Sequence, residues 1–313
     1  MLTEGQILGC QSRPAPQHRS DQDKQDMKDG HYPPLWVEGH VDTTLFGQRA
    51  PSHKSLYNGK DEVFGRDNTP MNIDFSDNRA LVTGAGKGIG REIARLLTEL
   101  GAQVVALSRT AEDLKSLATE IGCETINCDL SDAGDAQRGA ELAGDVSLLI
   151  NNAGVSILDP FLDAKVADFD HVQAVNVRGM MIVTQVVARN MIDRGEGGAV
   201  VNLSSVGSKF GIQDHTAYCA SKGAVDQLTR VMARELGPHN IRVNAVNPTV
   251  TLTPMGEMAW GDPAKSEPVL TRIPLGRFAQ PIDVAHVVAY LLSDYAAMVH
   301  GVTLPVDGGF LAN

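Results

Sequence analysis

The fold prediction rests on the stretch TGAGKGIG at residues 83–90. A short apolar run at 80–83 leads into this stretch, and a helical pattern begins directly after it. Glycines allow a tight turn, and they let backbone N–H groups approach a pyrophosphate closely. The N-terminus of the following helix adds a dipole that favours an anion. The stretch therefore predicts a phosphate-binding loop between a strand and a helix, with an ordinary strand-to-helix turn as the alternative.

The spacing of the glycines narrows the kind of loop. The pattern G-x-G-x-x-G is not met in either frame, because Ile89 or Arg91 stands where the last glycine is required. The pattern T-G-x-x-x-G-x-G is met instead. The residues of the loop that we expect to contact a dinucleotide are Gly84, Lys87, Gly88, Ile89 and Gly90.

Beyond the loop, short apolar runs alternate with amphipathic stretches. The runs are rich in Val, Ile and Leu, and their apolar residues are mostly continuous and not alternating, which indicates strands covered on both faces. This alternation predicts an α/β fold with a single doubly wound parallel sheet of the Rossmann type, flanked by helices. The runs are 80–83, 104–107, 146–150, 199–203, 241–246 and 302–306, with a weaker candidate at 125–127.

Residues 1–70 differ from the rest of the chain. They show no sustained period of 3.6 or 2, and the stretch 17–29 is almost wholly polar. Such a segment buries too little apolar surface to offset its ordering entropy. It also lacks the features of a secretory signal or a mitochondrial presequence. We therefore expect a poorly ordered N-terminal extension before a folded domain at 71–313, with a small packed extension as the alternative.

Composition excludes several classes of function. The formal net charge of −11, from 27 Lys+Arg and 38 Asp+Glu, makes general nucleic-acid binding a poor prediction. No apolar run approaches the roughly 18–20 residues of a membrane span. The four cysteines form no C-x-x-C pair, which favours free thiols in a reducing, cytoplasmic compartment. The histidines show no spacing typical of a metal site, so no metal is predicted.

The residues after the second predicted strand indicate which nicotinamide cofactor binds. An acidic residue about 20 positions beyond the glycine loop would bind the 2′-hydroxyl of NAD. Leu107 is instead followed by Ser108, Arg109 and Thr110, a cation between two hydroxyls. Arg109 can hold a 2′-phosphate through two hydrogen bonds, and Lys87 adds a second positive charge. The sequence predicts NADP(H), and a solvated surface role for Arg109 is the alternative.

Tyr218 and Lys222 are the first candidates for catalysis. They are four residues apart near the start of a helix predicted at 218–236, so both project from one face. The pKa of a tyrosine, about 10, makes it a poor acid–base catalyst at pH 7. An ammonium one turn away is expected to lower that pKa. The phenol can then donate a proton to a carbonyl oxygen as hydride reaches the carbon.

Further polar residues stand at the ends of predicted strands. Ser205 follows the run at 199–203, and carboxyl ends of parallel strands face the ligand crevice of an open sheet. Its hydroxyl can hydrogen-bond a substrate carbonyl. The stretch NNAG at 151–154 follows another strand and belongs to the same rim. A long, strongly apolar helix is predicted at 169–193, and Asn176 interrupts its apolar face. A buried asparagine needs hydrogen-bond partners, of which a relay water is one possibility.

Together these motifs resemble the short-chain dehydrogenase/reductase family, in its smaller classical form, from residue 80 to residue 309. The family's cofactor motif matches at 83–90 and its Asn-Asn-Ala-Gly motif at 151–154. The resemblance implies a catalytic tetrad whose lysine also hydrogen-bonds the nicotinamide ribose. The tetrad is Asn176, Ser205, Tyr218 and Lys222. Further cofactor contacts implied by the resemblance come from Asp129 near the adenine, Asn152, Ala153, Gly154, Pro248, Thr249 and Val250.

Five stretches resemble the branch of the family that reduces L-xylulose and α-dicarbonyls. They are GAGKGIGR at 84–91, VVALSRT at 104–110, LGPHNIRVNAVNPTV at 236–250, RIPLGRF at 272–278 and LPVDGGF at 304–310. The resemblance implies NADPH-dependent reduction of L-xylulose to xylitol and of diacetyl, in a homotetramer. It also implies substrate contacts from Ser205, His215 and Trp260.

Alternatives remain for the substrate residues and for the function. His215 is also placed to cap the helix that carries Tyr218. Trp260 belongs to the stretch 251–266, which is expected to be a loop, and it is also placed to pack on the surface there. Val206 departs from the polar residue expected after Ser205, which bears on the sugar preference. The competing functions are a reductase of 3-oxoacyl groups or larger ketones, and a non-catalytic NADPH-binding sensor.

Overall fold

The structure, a computed structural model, describes residues 72–312. Seven parallel strands form one sheet in the order β3-β2-β1-β4-β5-β6-β7. The strands are β1 Arg79–Thr83, β2 Gln103–Ser108, β3 Glu124–Asn127, β4 Leu148–Asn151, β5 Gly198–Leu203, β6 Ile241–Pro248 and β7 Thr303–Val306. The predicted doubly wound sheet is confirmed, with every strand within two residues of its apolar run. The predictions for residues 1–70 lie outside the described residues.

Nine α-helices connect or flank the strands in the described part of the chain. They are α1 Gly88–Glu99, α2 Ala111–Ile121, α3 Ala133–Leu142, α4 Val166–Gln173, α5 Met180–Arg194, α6 Thr216–Leu236, α7 Pro254–Trp260, α8 Pro263–Leu270 and α9 Pro281–Leu292. No helix within 72–312 has the length and apolarity needed to cross a bilayer.

The sheet is buried on both faces, as its continuous apolar strands predict. On one face, α1 and α9 pack over side chains such as Val82 and Ile150. On the other, α3 and α5 pack together over Leu81 and Leu149. Consecutive residues of one strand point to opposite faces, so Leu81 and Val82 supply the two cores in turn. This rigid support fixes the strand ends from which the functional residues project.

The strand order reverses beside β1, whose neighbours are β2 and β4. β1 leads to β2 on one side, while the chain later crosses to β4 on the other side. In an open α/β sheet, ligands bind at the carboxyl ends of the strands where the order reverses. The glycine loop follows β1 and the NNAG stretch begins in β4, so the topology brings both to this point.

Two segments differ from the continuous patterns seen in the sequence. The long helix predicted at 169–193 is a succession of α4, a π-helical segment Ala174–Gly179 and α5. The π-helical segment contains Asn176, and such bulges occur often at functional sites. The stretch 251–266, expected to be a loop, contains α7 and the start of α8, and neither helix has a buried residue.

Candidate active site

One groove collects most of the residues predicted to act. It has a volume of about 470 Å³ and runs along the carboxyl ends of the strands. Gly90 and Asn176 are not among its lining residues, because both are buried behind it. The predicted residues that line the groove are Gly84, Lys87, Gly88, Ile89, Ser108, Arg109, Thr110, Asp129, Asn152, Ala153, Gly154, Ser205, His215, Tyr218, Lys222, Pro248, Thr249, Val250 and Trp260.

The glycines of the loop are required by close packing and by backbone conformation. Gly84 and Gly88 have φ values of 65° and 55°, which favour glycine. A Cβ at Gly84 would lie 2.7 Å from Cα of Ala153. A Cβ at Gly90 would lie 2.2 Å from Nδ2 of Asn152, so only glycine allows the loop to pack on the NNAG stretch. A loop closed this tightly leaves room for a pyrophosphate at the start of α1.

Thr83 and Asn152 hold the two sides of the groove together. The Thr83 hydroxyl accepts hydrogen bonds from the backbone N–H groups of Asn152 and Ala153, at 3.0 and 3.1 Å. The Asn152 amide donates to the carbonyl oxygens of Thr83 and Gly84, at 2.9 and 3.1 Å. These bonds explain why the asparagine stands at this place, since its side chain replaces backbone pairing where β1 and β4 end.

The end of β2 presents the cation predicted to select the cofactor. Arg109 is exposed, and within 72–312 no carboxylate lies at ion-pair distance from its guanidinium. The pKa of Asp129 is lowered mainly by a hydrogen bond from the Ser131 backbone. Arg109 is close enough to Asp129 for its positive charge to lower that pKa further. Lys87 lies nearby and pairs with Asp113 at 3.1 Å. The loop, two cations and two hydroxyls fit a phosphorylated dinucleotide.

Tyr218 lies on the groove wall and is partly buried. Burial raises the pKa of its phenol, and a hydrogen bond with the Ser205 hydroxyl opposes that shift. The lowered pKa expected from the neighbouring lysine is therefore wrong for the protein as described, because desolvation exceeds the favourable interactions of the phenolate. At neutral pH the phenol keeps its proton.

Lys222 lies one helical turn beyond Tyr218, with its ammonium 5.5 Å from the centre of the tyrosine ring. Its side chain is buried, and its Nζ donates to the carbonyl oxygen of Leu203 at 2.7 Å. Burial lowers the pKa of Lys222 to about 8, while the negative charge of Asp226 opposes that shift. The ammonium is consequently charged at neutral pH but close to its titration range.

Asn176 lies behind the groove and is satisfied by protein groups. Its Oδ1 accepts from the backbone N–H of Val155, and its Nδ2 donates to the Val155 carbonyl and to the Ser221 hydroxyl. A Cβ at Gly154 would lie 3.4 Å from Asn176 Oδ1 and 3.5 Å from Lys222 Nζ. The π-helical segment thus brings Asn176 next to Lys222 across the bare backbone of Gly154.

His215 and Trp260 form one end of the groove. Their rings stack with centroids 6.0 Å apart and an angle of 15° between the planes. His215 also meets Tyr218 edge-on at 6.0 Å. His215 occupies the N-cap position of α6, yet its side chain makes no cap hydrogen bond and its Nδ1 lies 2.7 Å from the Gln213 carbonyl oxygen. Trp260, at the end of α7, therefore packs on the groove and not on an open surface loop.

Comparison with known proteins places this groove in a family. Residues 84–311 match a family model described as enoyl-(acyl carrier protein) reductase. L-xylulose reductase of Bos taurus is 52% identical over 243 residues, which cover 77% of this chain and 100% of that protein. The chain belongs to the short-chain dehydrogenase/reductase family. D-erythrulose reductase of Gallus gallus is 50% identical over 77% of this chain and 98% of its own length.

Solved structures agree with this assignment. A Beutenbergia cavernae protein solved with NADP bound at low occupancy has a TM-score of 0.75 and 35% identity, covering 78% of this chain and 100% of that chain. The resemblance predicted from the motifs is confirmed. The family uses a nicotinamide cofactor, and the protein is an oxidoreductase that carries out NAD(P)-dependent carbonyl reduction.

Two acidic residues of functional interest escaped the sequence prediction. Asp113 lines the groove beside Lys87, and Asp226 lies buried behind Lys222. Asp226 follows Lys222 by four residues on α6, so the same one-turn spacing that singled out Tyr218 and Lys222 could have indicated it. Asp113 carries no such signal, because carboxylates in the first turn of a helix are common for reasons of the helix dipole alone.

Proposed function

We propose that the protein uses NADPH to reduce L-xylulose to xylitol and α-dicarbonyls such as diacetyl. The observation that carries this proposal is the arrangement on one groove wall of a protonated Tyr218, the Ser205 hydroxyl and the buried ammonium of Lys222. These three groups are what the reduction of a carbonyl requires besides the hydride donor: a proton source, a hydrogen bond to the oxygen and a nearby positive charge.

NADPH, when bound, supplies the hydride for the carbonyl carbon. Tyr218 donates its phenolic proton to the carbonyl oxygen, so that C=O becomes CH–OH and the phenol becomes a phenolate. Ser205 hydrogen-bonds the same oxygen, and the Lys222 ammonium stabilises the phenolate until solvent restores the proton. The raised pKa of Tyr218 suits this direction, because a donor must hold its proton at neutral pH when substrate arrives.

The choice of NADPH over NADH rests on the end of β2. Arg109 and Lys87 are the residues that would hold the 2′-phosphate, with Ser108 and Thr110 beside them. Asp129 lines the same groove and is close enough to Arg109 to feel its charge, and we assign it to the adenine. We assign Pro248, Thr249 and Val250, which also line the groove, to the nicotinamide. The positive charges of Arg109 and Lys87 attract the 2′-phosphate of NADPH and gain little from the neutral 2′-hydroxyl of NADH, so NADPH is favoured.

The choice of substrate rests on the relatives and on the residues at one end of the groove. Proteins about 50% identical are named L-xylulose reductase and D-erythrulose reductase, and one from Sus scrofa is named carbonyl reductase [NADPH] 2. The stacked rings of His215 and Trp260 form one end of the groove, and we assign a short carbonyl compound to that end. Val206 also lines the groove, and its apolar side chain favours a substrate with at least one apolar face, as diacetyl has.

NADPH oxidation with a substrate panel tests the function. The panel contains L-xylulose, diacetyl, a bulky ketone and a 3-oxoacyl thioester, and the enzymes are wild type, Tyr218→Phe and Tyr295→Phe. Tyr295 is half exposed and outside the groove, which makes it the matched control. We expect Tyr218→Phe to lower kcat by about 10²–10⁴-fold and Tyr295→Phe to leave it unchanged.

Each competing function has its own outcome in this assay. Faster turnover of the 3-oxoacyl thioester than of L-xylulose would favour the acyl reductase, to which the description of the matching family model points. Tight NADPH binding without turnover of any carbonyl would favour the sensor. Turnover that survives Tyr218→Phe would remove the tyrosine as the proton donor.

We further propose that the protein is a cytoplasmic homotetramer that acts in carbohydrate metabolism, on xylose-derived sugars. The support for self-association is apolar surface: Phe161, Leu162 and Val166 are 76%, 92% and 75% exposed in the segment leading into α4. β7 also lies at the edge of the sheet. Light scattering after size-exclusion chromatography tests the mass of the assembly, and a monomer would contradict the proposal.

A further inference from the structure

A buried carboxylate lies behind the catalytic groove without lining it. Asp226 is 3% exposed and makes an ion pair with Lys209 at 2.9 Å. It accepts a hydrogen bond from the Ser208 hydroxyl at 2.7 Å and another from the Asn247 amide at 3.0 Å. We call Ser208, Lys209, Asp226 and Asn247 the Asp226 cluster. None of the four lines the groove.

The cluster holds the backbone of the residue that we propose to contact the substrate oxygen. The Asn247 Nδ2 donates to the carbonyl oxygen of Ser205 at 3.1 Å. The Ser208 hydroxyl lies 2.8 Å from the same oxygen, and its single proton is shared between that oxygen and the Asp226 carboxylate. Ser205, in turn, accepts a hydrogen bond at its own hydroxyl from the backbone N–H of Gly207. The short segment between β5 and the 3-10 helix Val206–Ser208 is thereby fixed from the end of β6.

The negative charge of Asp226 sets the orientation of the Asn247 amide. With Nδ2 turned towards the carboxylate, Asn247 Oδ1 is buried and has no hydrogen-bond partner in the described part of the chain. Such an orphaned acceptor is unfavourable, because a buried carbonyl oxygen loses its hydrogen bonds to water and gains none in return. If the Asn247 amide turned over, its Oδ1 would face the Asp226 carboxylate. Repulsion between these two acceptor oxygens disfavours that orientation. The unpaired Asn247 Oδ1 is thus a consequence of the Asp226 charge, which keeps Asn247 Nδ2 directed at the Ser205 carbonyl oxygen.

The same carboxylate acts on Lys222. Asp226 follows Lys222 by one turn on α6, both are buried, and the Asp226 charge favours the protonated lysine. The other groups around the carboxylate are the Lys209 ammonium, the neutral Asn247 on β6, and the neutral hydroxyls of Ser204 and Ser208. Around Lys222, Tyr218 and Cys219 are titratable groups on the same helix. The neutral Asn176 of the π-helical segment donates a hydrogen bond to Ser221, which directly precedes Lys222.

We propose that Asp226 is a positioning residue: its buried charge orients Asn247 and Ser208 to hold the Ser205 backbone, and it places a negative charge one helical turn from Lys222. This inference rests on the proposed function of the groove, since it assigns Asp226 to the same reaction. Lys209 balances the carboxylate from the segment after the 3-10 helix and is itself tied to Thr303 of β7 at 2.7 Å. The cluster therefore links the segment after β5, the end of β6 and the start of β7 behind the groove.

The test compares full-length wild type, Asp226→Asn, Asn247→Leu, Ser208→Ala and the control Glu235→Gln. Glu235 is exposed on α6, so its substitution removes one negative charge from the same helix without touching the cluster. Asp226→Asn keeps the shape of the side chain but loses the charge, so the Asn247 amide is free to turn over and leave Ser205. NADPH binding is measured first by fluorescence titration and is expected to stay within about twofold, because the cluster lies outside the groove.

We expect Asp226→Asn to lower kcat on the order of tenfold to hundredfold with little change in KM. The pH at which kcat falls on the alkaline side should move down by roughly one unit. Asn247→Leu and Ser208→Ala should lower kcat without moving that pH, and Glu235→Gln should change neither. A purely structural carboxylate would alter the melting temperature and leave the pH profile in place.

A readout independent of turnover is the titration of the Lys222 ammonium by ¹⁵N-lysine NMR, assigned with Lys222→Arg. We expect the Lys222 signal to titrate at lower pH in Asp226→Asn than in wild type. An unchanged titration together with a wild-type kcat would overturn the proposal. If Asp226→Asn does not fold, wild-type kcat values for Asn247→Leu and Ser208→Ala overturn it instead. Failure of the proposed function shows separately, as a wild-type enzyme that turns over no carbonyl while the NMR shift persists.

Discussion

The ammonium of Lys87 lies 3.1 Å from Oδ2 of Asp113. Lys87 belongs to the glycine loop and Asp113 to the first turn of α2, so this ion pair joins the two elements that flank the proposed 2′-phosphate site. Gly86 permits the approach, because a Cβ at this position would lie 2.9 Å from the Asp113 Cβ. One of the two cations assigned to the phosphate is therefore shared with a carboxylate.

Removing the charge of Asp113 should strengthen the binding of a 2′-phosphate. In Asp113→Asn, Lys87 loses its competing partner and the phosphate loses a nearby like charge. Both effects favour the phosphorylated ligand, and we expect about two- to tenfold tighter binding of 2′,5′-ADP with unchanged binding of 5′-ADP. Calorimetric titration measures both ligands. Glu112→Gln in the same helical turn is the control, and weaker 2′,5′-ADP binding in Asp113→Asn would show that the carboxylate instead orients Lys87.

Arg109 carries the second cofactor prediction. Replacing it with aspartate puts a carboxylate where the 2′-phosphate would lie, and this charge repels NADPH while it can accept a hydrogen bond from the 2′-hydroxyl of NADH. We expect kcat/KM for NADPH to fall by about 10²-fold or more and kcat/KM for NADH to rise or hold. Steady-state rates with both cofactors measure this change. An unchanged preference for NADPH would remove Arg109 from the site.

The sheet could be predicted because its signals are local. Runs of mostly apolar residues such as 199–203 indicate buried strands directly in the sequence. The glycine loop marks where the first strand ends. The order of the strands follows from right-handed crossovers and a single reversal. The π-helical segment around Asn176 could not be predicted, because an extra residue in a helical turn leaves the apolar pattern of 169–193 almost unchanged.

The groove could be predicted only where its residues stand in motifs. Spacing and position at the ends of strands or helices were enough to predict Tyr218, Lys222 and Ser205. Asp226 shares the one-turn spacing with Lys222, but the spacing does not reveal its role. That role depends on Asn247, which only the folded sheet brings from β6 to the carboxylate. The pKa of Tyr218 was predicted in the wrong direction for a related reason: the extent of burial at one side chain is a tertiary property.

Gly90 offers a test of the packing between the glycine loop and the NNAG stretch. An alanine Cβ would lie 2.2 Å from Asn152 Nδ2 and 2.4 Å from the Gly84 carbonyl oxygen, so Asn152 must move and release the loop. We expect Gly90→Ala to cost about 1–3 kcal/mol of unfolding free energy and to weaken NADPH binding. Gly223→Ala is the control, since nothing lies within 4 Å of its Cβ and α6 should gain up to about 1 kcal/mol. Equal stability of both variants in urea unfolding would contradict this account.

The alkaline limit of the reaction should follow Lys222. Its pKa is about 8 because burial disfavours the ammonium, so the lysine is charged below that pH and neutral above it. Tyr218, with its raised pKa, still holds its proton there, and the loss of rate above pH 8 must come from the lost charge that would stabilise the phenolate. We expect kcat for carbonyl reduction to be level between about pH 6 and 7.5 and to fall about tenfold per unit well above pH 8.

Lys222→Arg separates this charge effect from the titration of the phenol. An arginine keeps its proton throughout the accessible range, so any residual activity of the variant should lose the fall near pH 8 and decline only where Tyr218 itself ionises. Measurements of kcat in buffers of constant ionic strength from pH 6 to 10 locate the alkaline fall of the rate in both enzymes. If the variant and the wild type decline at the same pH, the titrating group is not Lys222. The phenol, or a group on the cofactor side of the groove, would then set the limit.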